Sequence, residues 1–130
     1  MEISENITGL QHVGIPTEQF EATVMFYESL GCSEILRTEV VESDTPVSFL
    51  KIGGLVMEIY GCSDTAKKAG AIDHIALDVK DIEAAYEFVK QIGLVPLEDT
   101  IGELPFWENG IRYFTVVGPN GEKVEFCQRL

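Results

Sequence analysis

An internal repeat of 62 residues is the feature that most restricts how this chain can fold. Residues 10–15 read Leu-Gln-His-Val-Gly-Ile, and residues 72–77 read Ile-Asp-His-Ile-Ala-Leu. The correspondence continues further along the chain, because Gly31 matches Gly93 at the same separation. A period of this length indicates two copies of one structural unit, each of which needs its neighbour to bury an apolar face.

Each copy predicts a strand, a helix and then three strands. Segments 9–16 and 71–79 alternate and are rich in strand formers. Thr17 and Asp81 are the predicted caps of the two helices, which end at Gly31 and Gly93. Their apolar stripes are Phe20, Val24, Tyr27 and Leu30 in the first helix, and Ile82, Ala85, Val89 and Ile92 in the second.

The predicted fold class is therefore α+β, with a βαβββ unit occurring twice. We expect a single domain over residues 1–130, made of module 1 (about residues 8–61) and module 2 (about residues 71–130). Residues 62–70 form the predicted linker.

Four residues stand out as candidate metal ligands. His12 and His74 are the two histidines of the chain, and they occupy the same place in the repeat. Glu58 and Glu125 each lie in the apolar last strand of a module, where an unpaired carboxylate is costly. Each residue alone is more often an ordinary strand residue, but four in equivalent places predict that the pseudo-symmetry brings them to one divalent cation.

Two imidazoles and two carboxylates suit a borderline divalent ion. Four protein ligands would complete the coordination of a tetrahedral Zn²⁺, and the ion would then have a structural role only. An octahedral ion such as Ni²⁺, Co²⁺ or Mn²⁺ would keep two positions open for water or substrate oxygens. Gly14 and Ala76, two residues beyond the histidines, are small and leave room for a substrate.

The charge balance argues against nucleic acid and anionic membranes as partners. Nine basic residues face 22 acidic ones, for a formal net charge of −13, and such a field attracts cations. No apolar run reaches membrane-spanning length, and the first residues lack the pattern of a signal peptide. Three cysteines without paired spacing favour a reducing cytoplasm.

The sequence resembles the vicinal-oxygen-chelate superfamily over almost its whole length, and within it glyoxalase I (lactoylglutathione lyase). The segments that carry the resemblance are Phe-Tyr-Glu-Ser-Leu-Gly at 26–31, Asp-His-Ile-Ala at 73–76 and Gly-Pro-Asn-Gly at 118–121. The order His12, Glu58, His74, Glu125 is similar to the metal-ligand pattern of glyoxalase I.

The resemblance implies a metal-dependent lyase or isomerase that acts on a small α-oxo substrate, or its thiol adduct, through an enediolate. It assigns the proton transfer to Glu125, with Glu58 as its pseudo-symmetric partner. It also implies a homodimer in which each site takes half of its ligands from each subunit.

Three other functions stay open. An epimerase similar to methylmalonyl-CoA epimerase would use the same chemistry, although an amide stands in that pattern where this chain has Glu58. A ring-cleaving dioxygenase would need a metal position that the fourth ligand fills. A non-catalytic ligand-binding member of the fold would have no need of the four ligands.

Candidate substrate-pocket residues are Phe106 and Trp107, in a loop after a proline, and Arg37 and Arg112, which would bind a carboxylate or phosphate. Packing against the sheet and surface exposure are the competing interpretations. The segment 16–18 lacks the arginine that glyoxalase I commonly uses to hold glutathione, which argues against that thiol.

Overall fold

The computed structural model describes residues 2–130. In module 1 the elements are helix α1 (Ile3–Asn6), strand β1 (Val13–Thr17), helix α2 (Phe20–Ser29), strand β2 (Ser33–Val40), a 3₁₀ turn (Val41–Ser43), strand β3 (Thr45–Ile52) and strand β4 (Leu55–Gly61). In module 2 they are strand β5 (His74–Asp78), helix α3 (Ile82–Gln91), and strands β6 (Gly102–Leu104), β7 (Ile111–Val117) and β8 (Lys123–Arg129).

The strands form two four-stranded mixed sheets of the same design. The strand order is β1-β4-β3-β2 in module 1 and β5-β8-β7-β6 in module 2. In each sheet the first strand runs parallel to the last, and the remaining neighbours are antiparallel. The α+β fold class with two βαβββ units is confirmed.

The two crossover helices begin differently. Asp81 caps α3 as predicted, because its carboxylate accepts a 3.0 Å hydrogen bond from the backbone N–H of Ala84. The prediction that Thr17 caps α2 is wrong, since that helix begins at Phe20. The Thr17 hydroxyl instead accepts a 2.8 Å bond from the backbone N–H of Gln19, which turns the chain before the helix starts.

The first strand of each module is shorter than predicted. β1 begins at Val13, opposite Met57, and β5 begins at His74, opposite Lys123. Pairing with β4 and β8 starts only at these two residues, so His12 lies one residue outside β1.

The helices pack on one face of each sheet, and the core draws on both modules. The side chains with less than 2% exposure include Val24, Tyr27, Leu50, Met57 and Ile59 from module 1, and Ile82, Val89, Phe114, Val116 and Val124 from module 2. These belong to one continuous apolar cluster, as the repeat predicts.

A buried polar cluster ties the start of α2 to the turn before β8. The Thr17 hydroxyl donates to the Asn120 side-chain oxygen at 2.6 Å, and the Asn120 amide donates to the Thr23 hydroxyl at 2.9 Å. Nearby, the Tyr27 hydroxyl donates to Glu122 at 3.0 Å. Burial and that carboxylate raise the pKa of Tyr27, so it stays a neutral donor.

In residues 2–130, none of the helices has the length and apolar character needed to span a bilayer. Cys32, Cys62 and Cys127 are free thiols, and burial raises the pKa of Cys32 to about 11. A cytoplasmic location stays a prediction.

Removal of the Asn120 side chain should destabilise the protein strongly. In Asn120→Ala the buried hydroxyls of Thr17 and Thr23 lose a partner, so we expect the free energy of unfolding to fall by about 2–4 kcal/mol. Asn109→Ala, whose amide makes only an exposed 3.5 Å contact, is the control and should change it by less than about 0.5 kcal/mol. Equal effects in urea denaturation would contradict the role given to the cluster.

Candidate metal centre

The histidine of module 1 lies against the glutamate of its own sheet. Nε2 of His12 is 3.9 Å from a carboxylate oxygen of Glu58. Nδ1, on the other side of the ring, is 2.9 Å from the side-chain oxygen of Gln11. The ring also meets Phe49 edge-on at 5.7 Å between centroids, so three side chains restrict its orientation.

The histidine of module 2 has the same arrangement. Nε2 of His74 is 3.7 Å from a carboxylate oxygen of Glu125, and Nδ1 is 3.0 Å from a carboxylate oxygen of Asp73. The Lys123 ammonium donates to the other Asp73 oxygen at 3.1 Å. The hydrogen bond with His74, and then Lys123, hold the pKa of Asp73 below its usual range.

The strand register explains why the two pairs match. Gly14 stands opposite Glu58 in the β1–β4 pair, and Ala76 stands opposite Glu125 in the β5–β8 pair. Each histidine precedes that small residue by two positions. A Cβ on Gly14 would lie 3.9 Å from the Glu58 oxygen, so a larger side chain there would fill the space beside the carboxylate.

The spacing inside each pair fits a bridging cation. Separations of 3.7 and 3.9 Å are too long for hydrogen bonds. Two ligand atoms at about 2.1 Å from one ion lie between about 3.0 Å apart, at a right angle, and about 4.2 Å apart, in a straight line. An imidazole nitrogen and a carboxylate oxygen are also the donors that borderline divalent ions prefer.

Within one chain the four predicted ligands form two pairs and not one cluster. Among residues 2–130, no three His, Cys, Asp or Glu side chains group closely enough to hold an ion. The physical reason is that each histidine precedes or opens the edge strand next to its own glutamate strand, and the two sheets are separate. That His12, Glu58, His74 and Glu125 share one ion stays a prediction.

Both predicted pocket arginines lie on the helix-facing side of the sheets. Arg37 pairs with Ser48, next to the Phe49 that stands opposite Glu58, so its side chain leaves the other face of the sheet. It is bound by Glu21 at 2.7 Å and Glu34 at 2.8 Å. These contacts tie β2 to α2, and the structure does not bring Arg37 to the ligand pair.

Arg112 has the corresponding position in module 2. It pairs with Gln128 on the face opposite Glu125, and its guanidinium is 3.1 Å from Glu83 of α3. Its Nε is buried without a hydrogen-bond partner, 3.9 Å from Glu103. The two arginines thus fasten strands to helices.

Phe106 and Trp107 lie in the β6–β7 loop, away from the ligand pair. The loop joins β7 at Ile111, which pairs with Arg129, four residues beyond Glu125 along β8. The Arg129 guanidinium stacks on the Trp107 ring at 3.9 Å. Both aromatic side chains are more than half exposed, so the loop is free to contact another molecule.

The residues that flank the glutamates were not identified from the sequence. We call the side of each sheet that carries Glu58 or Glu125 the ligand face. Strand pairing places four further side chains there at equivalent positions: Phe49 and Tyr60 in module 1, and Thr115 and Cys127 in module 2.

The sequence analysis also did not predict the contacts of Gln11 and Asp73 with the histidine rings. Both residues are polar and lie directly before a histidine at the 62-residue spacing.

Comparison with known sequences decides the family. The sequence model of the glyoxalase/bleomycin resistance protein/dioxygenase superfamily matches residues 9–126. The chain belongs to this superfamily. It is also 32% identical over 127 residues to the uncharacterized protein YwbC of Bacillus subtilis, covering 92% of this chain and 97% of that one.

Solved structures share the fold at low identity. A glyoxalase family protein from Enterococcus faecalis matches with a TM-score of 0.75 at 23% identity, over 94% of this chain and 98% of that one. The fosfomycin resistance protein FosX from Listeria monocytogenes, in complex with Mn(II) and sulfate, matches with a TM-score of 0.74 at 18% identity, over 95% and 94%. Members of the superfamily include metalloenzymes, and FosX is one that binds a divalent ion.

Purified protein should bind one divalent ion per chain. Titration with Co²⁺ or Ni²⁺ should lose its tight phase in Glu58→Ala, because the substitution would remove one of the four predicted ligands. Glu39→Ala makes the same change in net charge on an exposed strand residue and is the control. Identical binding by both variants would show that Glu58 is no ligand.

Proposed function

We propose that this protein is a divalent-metal-dependent enzyme similar to glyoxalase I. It acts on a small α-oxo compound, or on its thiol adduct, by moving a proton between adjacent carbons. The observation that carries the proposal is the pair of matched His–Glu contacts, each in the same strand register and each spaced for a bridging ion. A protein that only bound organic ligands would need neither pair.

The active form in this proposal is a homodimer. One pair supplies two ligands, and an ion that keeps open positions needs about four from protein. Pairing of the His12–Glu58 half from one subunit with the His74–Glu125 half from its partner would supply them twice. The exposed ligand face of β5, where His74 and Ala76 lie, is available for such a contact.

The bound ion, Ni²⁺, Co²⁺, Mn²⁺ or Zn²⁺, would act as a Lewis acid that polarises the substrate oxygens. In the proposed site each histidine would hold the ion through Nε2 while Nδ1 contacts Gln11 or Asp73, so neither ring nitrogen would be free to carry a proton. The carboxylates are therefore the groups left to accept a proton.

Glu125 is the proposed base. Its side chain is 17% exposed, against 30% for Glu58, so its carboxylate is better shielded from bulk water. It takes a proton from one carbon to give the enediolate form of the substrate, and returns that proton to the adjacent carbon. Return to the same carbon from the opposite side would make the protein an epimerase, the second candidate function from the same residues.

Glu125→Gln should separate catalysis from metal binding. Glutamine remains an oxygen ligand but cannot accept the proton, so at full metal occupancy we expect turnover to fall by roughly 10²–10⁴-fold. The measurement is solvent deuterium exchange at the reacting carbon, which reports proton transfer for isomerase and epimerase alike. Glu58→Gln is the matched comparison, because it makes the same substitution at the equivalent ligand. Undiminished deuterium exchange in Glu125→Gln would instead indicate that Glu58 is the base.

A mixing experiment tests whether each site spans two chains. His12→Ala and His74→Ala homodimers should each be inactive, because every site lacks a ligand. A heterodimer of the two has one site with both defects and one with none, so mixing after partial denaturation should restore activity and metal binding. Sites confined to single chains would regain nothing, and light scattering that showed only monomers would also contradict the dimer.

A further inference from the structure

The residue before each histidine contacts the ring nitrogen that faces away from the glutamate. The acceptor is an amide oxygen of Gln11 at 2.9 Å in module 1, and a carboxylate oxygen of Asp73 at 3.0 Å in module 2. Such a contact repeated at equivalent positions is a property of the two half-sites and not an isolated surface hydrogen bond.

The chemistry of these acceptors settles where each imidazole proton lies. An amide oxygen and a carboxylate oxygen accept hydrogen bonds, so these contacts favour the neutral tautomer that carries its hydrogen on Nδ1. The lone pair is then on Nε2, the atom 3.9 Å from Glu58 in one half and 3.7 Å from Glu125 in the other. Both rings are therefore oriented as metal ligands before any ion arrives.

The two acceptors differ in charge, and this makes the two histidines unequal. Asp73 is anionic and draws the Nδ1 proton of His74 toward itself, which increases electron density on Nε2. Its other oxygen is held by Lys123 at 3.1 Å, so the carboxylate stays in place. Gln11 is neutral and withdraws no comparable share of the His12 proton.

We propose that Gln11 and Asp73 are positioning residues of the metal centre, and that His74 with Glu125 forms its high-affinity half. In this arrangement an ion binds first at His74 and Glu125, and His12 and Glu58 complete its coordination. The inference rests on the metal site proposed above and adds to it an order of assembly and a cause for that order.

The experiment changes the charge of each acceptor and measures the affinity for Co²⁺. Asp73→Asn keeps the shape of the acceptor but removes its charge, and should weaken Co²⁺ binding by roughly 10–100-fold, as expected for loss of such a partner. Gln11→Glu adds a charge beside His12 and should strengthen binding. Asp44→Asn, exposed in the turn between β2 and β3 and away from both His–Glu pairs, is the control for net charge and should leave the affinity unchanged.

The absorption spectrum of bound Co²⁺ gives a readout that a purely structural role would not change. It should shift in Asp73→Asn and in Gln11→Glu, and not in Asp44→Asn. His12→Ala should retain weak Co²⁺ binding, whereas His74→Ala should lose it. If the wild-type protein binds Co²⁺ and Asp73→Asn binds it as tightly as Asp44→Asn does, this inference alone is overturned. A wild-type protein that binds no Co²⁺ would overturn the proposed function as well.

Discussion

The parallel pairing of β1 with β4, and of β5 with β8, is the contact on which the candidate site depends. It places each glutamate on an interior strand, directly beside the edge strand that His12 precedes and His74 opens. Parallel neighbours require a long crossover, which α2 and α3 supply with the strands that follow them. A shift of one residue in either pair would turn the glutamate to the helix side, so the register that buries the core also determines the ligand geometry.

Three polar side chains fix the strands around the two His–Glu pairs from outside the site. Arg37 and Arg112 fasten strands to helices from the far side of each sheet, and Asn120 joins the two modules through buried hydroxyls. None of these residues touches the ligand pairs. They hold the strands whose relative position sets the distances between imidazole and carboxylate.

The repeat was sufficient to predict the fold and to single out His12, Glu58, His74 and Glu125 as equivalent residues, because both follow from local pattern and from symmetry. Helix ends at Gly31 and Gly93 follow from their φ angles of +104° and +90°, which glycine adopts easily. The directions of Arg37 and Arg112 could not be predicted, since they depend on register between strands far apart in sequence. Nor could the separation of the ligands into two pairs within a chain, because a repeat does not say which copy of a module packs against which.

The equivalence of the ligands does not extend to the side chains around them. Phe49 and Tyr60 flank Glu58, whereas the much smaller Thr115 and Cys127 flank Glu125. Module 2 carries its aromatic side chain one step further away, at the Tyr113 that pairs with Cys127. A site made from one face of each kind would thus have unlike walls on the two sides of a symmetric set of ligands. A planar, unsymmetrical molecule that rotated by 180° in such a site would place its larger end against the other wall. In the enzyme proposed above, one orientation would then be preferred, and a proton delivered from one carboxylate would reach a single face of the carbon and give a product of one handedness.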